Sequence, residues 1–316
     1  MDAIGWPGEP GAVRTVRIDV ADGDATLPLV CRFPAGGQAK GSVVFCHGLG
    51  GNGEDHVELS AFLAGHGYLV IHPTFADGAA AVAAAAHELG FAPDAPEVSR
   101  WILVPALRDR LFEVLHTPFY WLDRIRIVTA VMDNLPSIKA ETIGASAGSL
   151  PTAIAGHSFG AYASQLLSGA EIDVPGECAR SFHDRRFAAA VLLSPQGRGQ
   201  QGLREGSWDA IEGPMLTVTG TRDGGAKGQD WRWKTEPFHH APAGDKYLAV
   251  LDEADHFLGG MTRNDPTPGN PAQREAVSML TLAFLDACLV NDRQARAWLT
   301  ALEDHVAGWP AQISRK

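Results

Sequence analysis

Short runs of apolar, often β-branched residues recur along this chain of 316 residues, and segments with a helical pattern separate most of them. Buried strands that alternate with helices form parallel βαβ units, and the helices then cover both faces of the sheet. The sequence therefore predicts an α/β fold with a mostly parallel central β-sheet. We assign one strand to each of the runs Val13–Val20, Leu27–Phe33, Ser42–Cys46, Tyr68–His72, Pro151–Ala155, Phe187–Leu193, Met215–Thr219 and Tyr247–Leu251.

The remaining pattern predicts how these strands are connected. The first two strands are expected to form a hairpin through Ala21–Ala25, and residues 78–140 are expected to form a mainly helical cap insertion. No linker interrupts the pattern, so residues 1–316 are interpreted as a single domain. Helices are predicted over His56–Gly65, Arg124–Leu135, Ala161–Ser168, Ala272–Leu289 and Gln294–His305.

The charge balance and the cysteines exclude several classes of protein. With 26 basic and 37 acidic residues, the net charge is −11, whereas nucleic-acid binding needs clustered Lys and Arg, so we expect no nucleic-acid partner.

The Ala-rich segment Gly78–Gly90 is too short to span a bilayer, and we expect no membrane insertion. Met1–Pro10 lacks the features of a secretory signal, although a chain whose signal had been removed would look the same. The four cysteines, Cys31, Cys46, Cys178 and Cys288, show neither the paired spacing of a disulfide framework nor the spacing of a metal site. This indicates a cytoplasmic protein with reduced thiols and no metal.

The pattern G-x-S-x-G occurs twice, around Ser146 and around Ser158. It carries chemistry where it forms a sharp turn from a buried strand into a helix, because that turn exposes the serine hydroxyl. A predicted strand leads into Ser158 and a predicted helix follows it. Ser146 lacks a strand before it and is soon followed by Pro151, which is typical of a loop. We therefore predict Ser158 as a nucleophile.

Acyl transfer also needs N–H donors for the oxygen that becomes negative in the transition state. One candidate is the N–H of Phe159, directly after the nucleophile, and the other is the N–H of Leu49, in the Gly-rich loop after Ser42–Cys46. The glycines of that loop lack the G-x-G-x-x-G spacing of a dinucleotide site. His47, at the start of the loop, is expected to stabilise the turn and not to act as a base.

The base and the acid should follow later strands, in the chain order serine, acid, histidine. His256 follows the strand Tyr247–Leu251, and Asp223 follows Met215–Thr219. Asp223 is expected to accept the Nδ1–H of His256 and to stabilise the imidazolium. The rival histidines are His239 and His240, which precede the last strand, and the rival acids are Asp230 and Asp255.

The chain resembles the α/β-hydrolases of the dienelactone-hydrolase-like group in four motifs. It is most similar to members with a serine nucleophile, which include platelet-activating-factor-acetylhydrolase-like, chlorophyllase-like and polyesterase-like enzymes, over about residues 40–290. The resemblance implies the α/β-hydrolase fold and an acyl-enzyme mechanism without a cofactor, but dienelactone hydrolases carry Cys where this chain has Ser158. The motifs are His47-Gly48-x-Gly50, Gly156-His157-Ser158-Phe159-Gly160, Gly220-x-x-Asp223 and Asp255-His256-Phe257.

Aromatic residues in two segments are the candidates for a substrate pocket over Ser158. The first segment lies within the cap insertion and the second follows the acid loop, and Phe257, next to His256, is a further candidate. Such a pocket would favour a small, uncharged and moderately hydrophobic ester, although the cap aromatics fit equally well as the core beneath the cap. The residues assigned to the pocket are Trp101, Phe119, Trp121, Trp231 and Phe257.

Three functions are consistent with this sequence. The first is a carboxylesterase, the second is the same machinery acting on a phospholipid acyl ester, a lactone or an amide, and the third is a binding protein without catalysis. Proteins of the third kind usually lose a member of the triad, and this chain has Ser158, Asp223 and His256. The two closing helices are a candidate face for a homodimer.

Overall fold

The computed structural model describes residues 6–144, 149–262, 268–302, 309 and 311–316, and β-strands and α-helices alternate along most of this chain. The strands are β1 Val13–Asp22, β2 Ala25–Pro34, β3 Gly41–Cys46, β4 Tyr68–Pro73, β5 Thr152–His157, β6 Glu171–Val174, β7 Glu177–Ser181, β8 Phe187–Leu193, β9 Met215–Gly220, β10 Lys246–Leu251 and β11 Ala311–Arg315. The α-helices are α1 Val57–Gly65, α2 Ala79–Ala85, α3 Pro96–Ser99, α4 Pro105–Leu115, α5 Pro118–Asp133, α6 Leu135–Thr142, α7 Phe159–Leu167, α8 Glu236–His240, α9 Pro271–Cys288 and α10 Arg293–Thr300.

Nine of these strands form one sheet in the order β1-β2-β4-β3-β5-β8-β9-β10-β11. The six central strands from β4 to β10 pair in parallel, while β1 and β2 at one edge and β11 at the other pair antiparallel with their neighbours. The predicted α/β class with a mostly parallel sheet is confirmed. The predicted hairpin is also present, and Asp22 pairs with Ala25 across its turn.

Helices cover both faces of the sheet, and the alternation of side chains along the central strands shows it directly. In β3, Val43 and Phe45 belong to one core cluster, and Val44 and Cys46 belong to the other. Side chains of α1, α9 and α10 complete the first cluster, and those of α5, α6 and α7 complete the second. A strand that is buried on both faces needs an unbroken apolar run, which is why these strands were detectable in the sequence.

Three strands were missed by the sequence analysis. In the charged hairpin of β6 and β7, β6 is mostly half-buried and β7 is largely exposed. Strand β11 is a five-residue edge strand, half-exposed, that contains Ser314 and Arg315. Strands of this kind lack the apolar run that marks a buried strand. The predicted last helix is observed as α10, and residues 303–305 of that prediction lie outside the described residues.

The segment from Ala79 to Thr142 consists of helices α2–α6 with two short 3-10 turns, as predicted. Helices α2 and α4 enclose a small apolar cluster of their own that contains Trp101, Leu107 and Leu111. Leu49 packs against both this cluster and the main core, so the helical segment rests on the loop that follows β3. In the described part of the chain, no helix is both long and apolar enough to cross a membrane.

A buried ion pair joins helix α5 to the loop after β4. Arg124 Nε and Nη2 donate to the two carboxylate oxygens of Asp77, at 2.6 Å each, and both side chains are at most 1% exposed. Burial raises the pKa of Asp77, and Arg124 offsets only part of that rise. An ion pair of this kind adds little net stability, but loss of one partner leaves a buried charge without compensation.

We expect Asp77→Ala to lower the free energy of unfolding by about 3–5 kcal/mol, because Arg124 would remain charged and buried without its carboxylate. The matched control is Glu113→Ala, which removes the exposed partner of Arg110 and should cost less than about 1 kcal/mol. Urea denaturation measures both values. Equal effects of the two variants would contradict a structural role for the buried pair.

Candidate active site

Ser158 lies at the turn from β5 into α7, with φ 54° and ψ −118°. The backbone is strained there, and its N–H donates to Leu193 O at 2.8 Å, which ties the turn to the neighbouring strand β8. Helix α7 passes so close to β3 that a Cβ on Gly160 would overlap the carbonyl oxygen of Cys46. The turn therefore requires glycine at this position and holds the serine hydroxyl at the carboxyl edge of the sheet.

His256 connects this hydroxyl to a buried carboxylate. Ser158 Oγ lies 2.9 Å from Nε2 of His256, and Nδ1 of the same ring lies 2.9 Å from Oδ1 of Asp223. Asp223 follows β9 and His256 follows β10, so three loops at the same edge of the sheet supply the three groups. An ionised Asp223 can only accept, so Nδ1 of His256 carries the proton and Nε2 accepts from Ser158.

Asp223 is fully buried and its charge is stabilised by several neighbours. Thr219 Oγ1 donates to its Oδ2 at 2.9 Å, and Nζ of the buried Lys234 lies 3.5 Å from its Oδ1. Burial alone would raise the pKa of Asp223, but Lys234 and hydrogen bonds from His256 and Ser194 bring it well below its usual range. The carboxylate is therefore ionised at neutral pH.

Ser194 is a second hydroxyl in contact with this pair. It follows β8 with φ 52°, its Oγ lies 2.8 Å from Nδ1 of His256, and it hydrogen bonds to Asp223. The sequence analysis missed both Ser194 and Lys234. A polar residue at the end of a buried strand was a signal for Ser194, but nothing in the sequence placed Lys234 beside Asp223.

The two candidate oxyanion donors lie on either side of Ser158. Phe159 is the first residue of α7, so its N–H has no acceptor one turn earlier in the helix. Gly48 is so close to the turn that a Cβ on it would lie 3.5 Å from Ser158 Cβ, and Leu49 lines the same cavity as Ser158. Arg124 fixes this loop, because its Nη1 donates to the carbonyl oxygen of His47 at 2.7 Å.

A group of buried histidines lies behind the site. Burial keeps the pKa of His47, His56 and His72 well below the usual value, and it lowers the pKa of His157 to about 3. His47 stabilises the turn as predicted, since Nδ1 lies 2.7 Å from Gly48 O and Nε2 accepts from Phe75 N–H. His157 donates from Nε2 to the carbonyl oxygen of His256 at 2.7 Å, and this bond anchors the loop that carries His256.

A cavity of about 230 Å³ opens beside Ser158 and His256. The helical segment supplies its more apolar wall, through Trp101, Ile102, Phe112 and Leu115. Among the five residues assigned to a pocket from the sequence, Trp101 and Phe257 line this cavity.

The other three pocket residues require a correction. Phe119 is 64% exposed on the outer surface of α5. Trp121 lies in the core, where its indole N–H donates to Leu115 O and its ring packs against Tyr162. Trp231 packs with Phe238 and with Leu248 and Val250 of β10, and it does not line the cavity. Helical periodicity could not tell which face of α5 points toward Ser158, and for Trp121 the alternative of a core aromatic is the correct one.

The rival residues are placed elsewhere. Asp230 accepts from Arg232 N–H at 2.6 Å at the start of a 3-10 helix, and His240 stacks on Trp208. Asp255 accepts from the N–H of Phe257 at 3.0 Å. Ser146, the serine of the other G-x-S-x-G copy, lies outside the described residues.

Comparison with models of protein families and with curated proteins finds no match to this chain. Within the described residues, no group of three His, Cys, Asp or Glu side chains is arranged to hold a metal ion. The chemistry of the site is therefore inferred from its geometry.

The buried histidines predict a steep loss of stability in acid. They are neutral in the native state, whereas below pH ~6.5 the unfolded chain protonates them, so stability falls from about pH 6.5 toward pH 3. Each such histidine lowers the free energy of unfolding by about 1.4 kcal/mol for each pH unit below pH ~6.5. Four together would remove a stability of about 5–15 kcal/mol within a few pH units. We expect the acid unfolding midpoint to lie above about pH 4.

His72→Gln should reduce this slope. Between pH 7 and 5.5 the free energy of unfolding of the variant should fall by about 1 kcal/mol less than that of the wild type, in urea titrations at pH 7, 6 and 5.5. The exposed His87 supplies the control, since His87→Gln should leave the slope as it is. An unchanged slope in His72→Gln would argue against a neutral buried imidazole.

Proposed function

We propose that this chain has the α/β-hydrolase fold and is a serine hydrolase that cleaves carboxylic esters. The observation that carries the proposal is the chain of hydrogen bonds from Ser158 Oγ through His256 to Asp223, with the serine on a strained strand-to-helix turn. Strained turns with an exposed serine, followed later in the chain by an acid and then a histidine, are typical of this fold. The site residues are Ser158, Asp223 and His256, with Leu49 and Phe159 as oxyanion donors.

The proposed reaction has two steps and needs no cofactor. His256 Nε2 takes the proton as Ser158 Oγ attacks the ester carbonyl carbon, and it gives that proton to the leaving alcohol. In the second step, a water molecule gives a proton to His256 Nε2 and attacks the acyl carbon. The bond from that carbon to Ser158 Oγ then breaks, His256 returns the proton to Ser158 Oγ, and the carboxylic acid is released. Asp223 holds the ring in the required tautomer and stabilises the imidazolium.

The N–H groups of Leu49 and Phe159 are assigned the role of stabilising the negative charge that develops on the carbonyl oxygen of the substrate. The position of Phe159 at the N-terminus of α7 supports this role, since both its N–H and the helix dipole favour an anion there. Loss of one such donor typically costs about 3–4 kcal/mol of barrier. The contact between Arg124 and the carbonyl oxygens of His47 and Gly48 supports a rigid loop, as preorganised donors require.

A neutral small-molecule ester is the proposed partner, without nucleic acid and without membrane insertion. The four cysteines are free, which supports the proposal of a reducing, cytoplasmic location. The formal charge of −11 supports the absence of a nucleic-acid partner. A homodimer through the closing helices α9 and α10 stays a prediction.

Ser158→Ala should abolish hydrolysis of p-nitrophenyl acetate and butyrate, because no other hydroxyl is placed on Nε2 of His256 in the described chain. It should also abolish covalent labelling by a fluorophosphonate probe. Ser146→Ala is the matched control, since it alters the other copy of the motif, and it should keep both activities. Labelling without turnover of any ester would leave the nucleophile in place and point to lactones or amides. Labelling that survives in Ser158→Ala would overturn the proposal.

Ser194→Ala should lower kcat by about 10-fold and leave KM nearly unchanged, because it removes a hydrogen bond to the charged Asp223 and not a substrate contact. Steady-state kinetics with p-nitrophenyl butyrate measure the change. Ser168→Ala removes a half-buried hydroxyl at the end of α7 and serves as the control. A large rise in KM with unchanged kcat would assign Ser194 to binding instead.

A further inference from the structure

We propose that the cavity beside Ser158 binds a neutral substrate group that both donates and accepts hydrogen bonds, such as a carboxamide or a hydroxyl. The inference rests on the proposed function and names the class of ester, which is a polar one and not the moderately hydrophobic ester expected from the aromatic residues. It depends on a set of buried amide groups in the loop after β8.

Three glutamine side chains of this loop line the cavity, and each is about 5–6% exposed. Each has one buried amide atom without a hydrogen-bond partner, namely Oε1 of Gln196, Nε2 of Gln200 and Oε1 of Gln201. A buried polar atom without a partner is costly, and most such atoms in native proteins are paired. Three of them in one wall of one cavity indicate a ligand that supplies the missing partners.

The loop that carries the glutamines is held in place by hydrogen bonds of Gln201 and Gln196, and the side chain of Gln201 is itself bonded. Gln201 has φ 51°, its Nε2 donates to Leu115 O at 3.2 Å, and its carbonyl oxygen accepts from Tyr162 at 2.6 Å. The carbonyl oxygen of Gln196 accepts from the buried Gln165 at 3.2 Å. Strained backbone held by its surroundings is a frequent feature of binding sites.

Two further residues that line the cavity add a donor and a group that can either donate or accept. The indole Nε1 of Trp101 is buried without a partner, and a buried indole N–H usually has one. His56 lines the same cavity, and both of its ring nitrogens are buried without partners. Donors and acceptors are thus both present, which a group such as a carboxamide can satisfy and an alkyl chain cannot.

The charges around the cavity favour a neutral group. Of the residues described at its wall, the only Lys or Arg is Lys234, whose Nζ is occupied by Asp223 and by the carbonyl oxygens of Ser194 and Pro195 at 3.4–3.5 Å. Among the described lining residues, the only carboxylate is that of Asp55, which accepts from Asn52 N–H at 3.0 Å. Neither charge is directed at a ligand.

The size of the cavity limits the group to a small one. Its volume of about 230 Å³ is below the roughly 300–1,000 Å³ of sites that hold drug-sized ligands. We therefore expect a short acyl or alcohol part with one polar group, in contact with the glutamines and with the apolar side chains of Phe112 and Leu115.

Two isosteric pairs of esters test the proposal, one for each side of the scissile bond. Ethyl N-acetylglycinate is compared with ethyl 4-methylpentanoate, and 2-acetamidoethyl butanoate with 4-methylpentyl butanoate, by pH-stat titration. The variants are Gln196→Met and Gln200→Met, which keep the length of the side chain and remove the amide. Gln38→Met, at an exposed position before β3, is the control.

In at least one pair, the ratio of kcat/KM for the polar ester to that for the apolar ester should fall about 10-fold or more in both cavity variants. The control should keep the ratio of the wild type, and comparison of ratios cancels the intrinsic reactivity of each ester. Unchanged ratios in both pairs, in variants that still turn over these esters, would overturn the polar specificity alone. Failure of the proposed function looks different, since the wild type would then show neither turnover nor fluorophosphonate labelling.

Discussion

The guanidinium of Arg124 lies between the rings of Phe75 and Phe159, 4.3 and 4.2 Å from their centroids, and it faces Asp77 in a fully buried environment. Through its remaining N–H groups it also holds the carbonyl oxygens of the loop after β3. Desolvation still raises the pKa of Asp77 in spite of this partner, so the pair adds little net stability. What it supplies is geometry, since one side chain links the helical segment, the loop that carries Leu49 and the first turn of α7. A rigid loop of this kind is what a preorganised pair of N–H donors needs.

The same reasoning applies to the carboxylate of Asp223. It is fully buried, and a single hydrogen bond to His256 would not offset the cost of burying its charge. Thr219, Ser194 and the buried ammonium of Lys234 supply the rest of its coordination. These residues come from the ends of neighbouring strands and from the 3-10 helix after β9, so the carboxylate is ionised only because four separate segments meet there. Asp223 can then orient His256 without taking up a proton at neutral pH.

Much of this arrangement was predictable from the sequence, and what was not has physical reasons. The central strands are buried on both faces and appear as unbroken apolar runs, and the glycines around Ser158 are required because strand and helix nearly touch at Gly160. The edge strand β11 and the hairpin β6–β7 have no such signature. Lys234 and the loop glutamines reach the site only through tertiary contacts, which the sequence pattern does not reveal. The sequence pattern also does not determine how α5 is rotated about its own axis, and this rotation decides which of its side chains face Ser158. Phe119 and Trp121 were therefore assigned to a pocket that the structure forms from other residues.

The amides of the cavity wall are also related to the charges of the triad. A formal charge in the wall of so small a cavity would lie within a few ångströms of His256, and in a medium of low dielectric constant it would act on the proton that moves between that ring and Ser158. Amide and indole groups offer directional hydrogen bonds to a substrate and exert a much smaller field. The buried histidines are consistent with the same constraint, because they are neutral at physiological pH and add no charge behind the site. The polar groups of the wall that have no partner are all neutral, which allows selection of a polar substrate, while Asp223 and Lys234 set the charge balance next to His256.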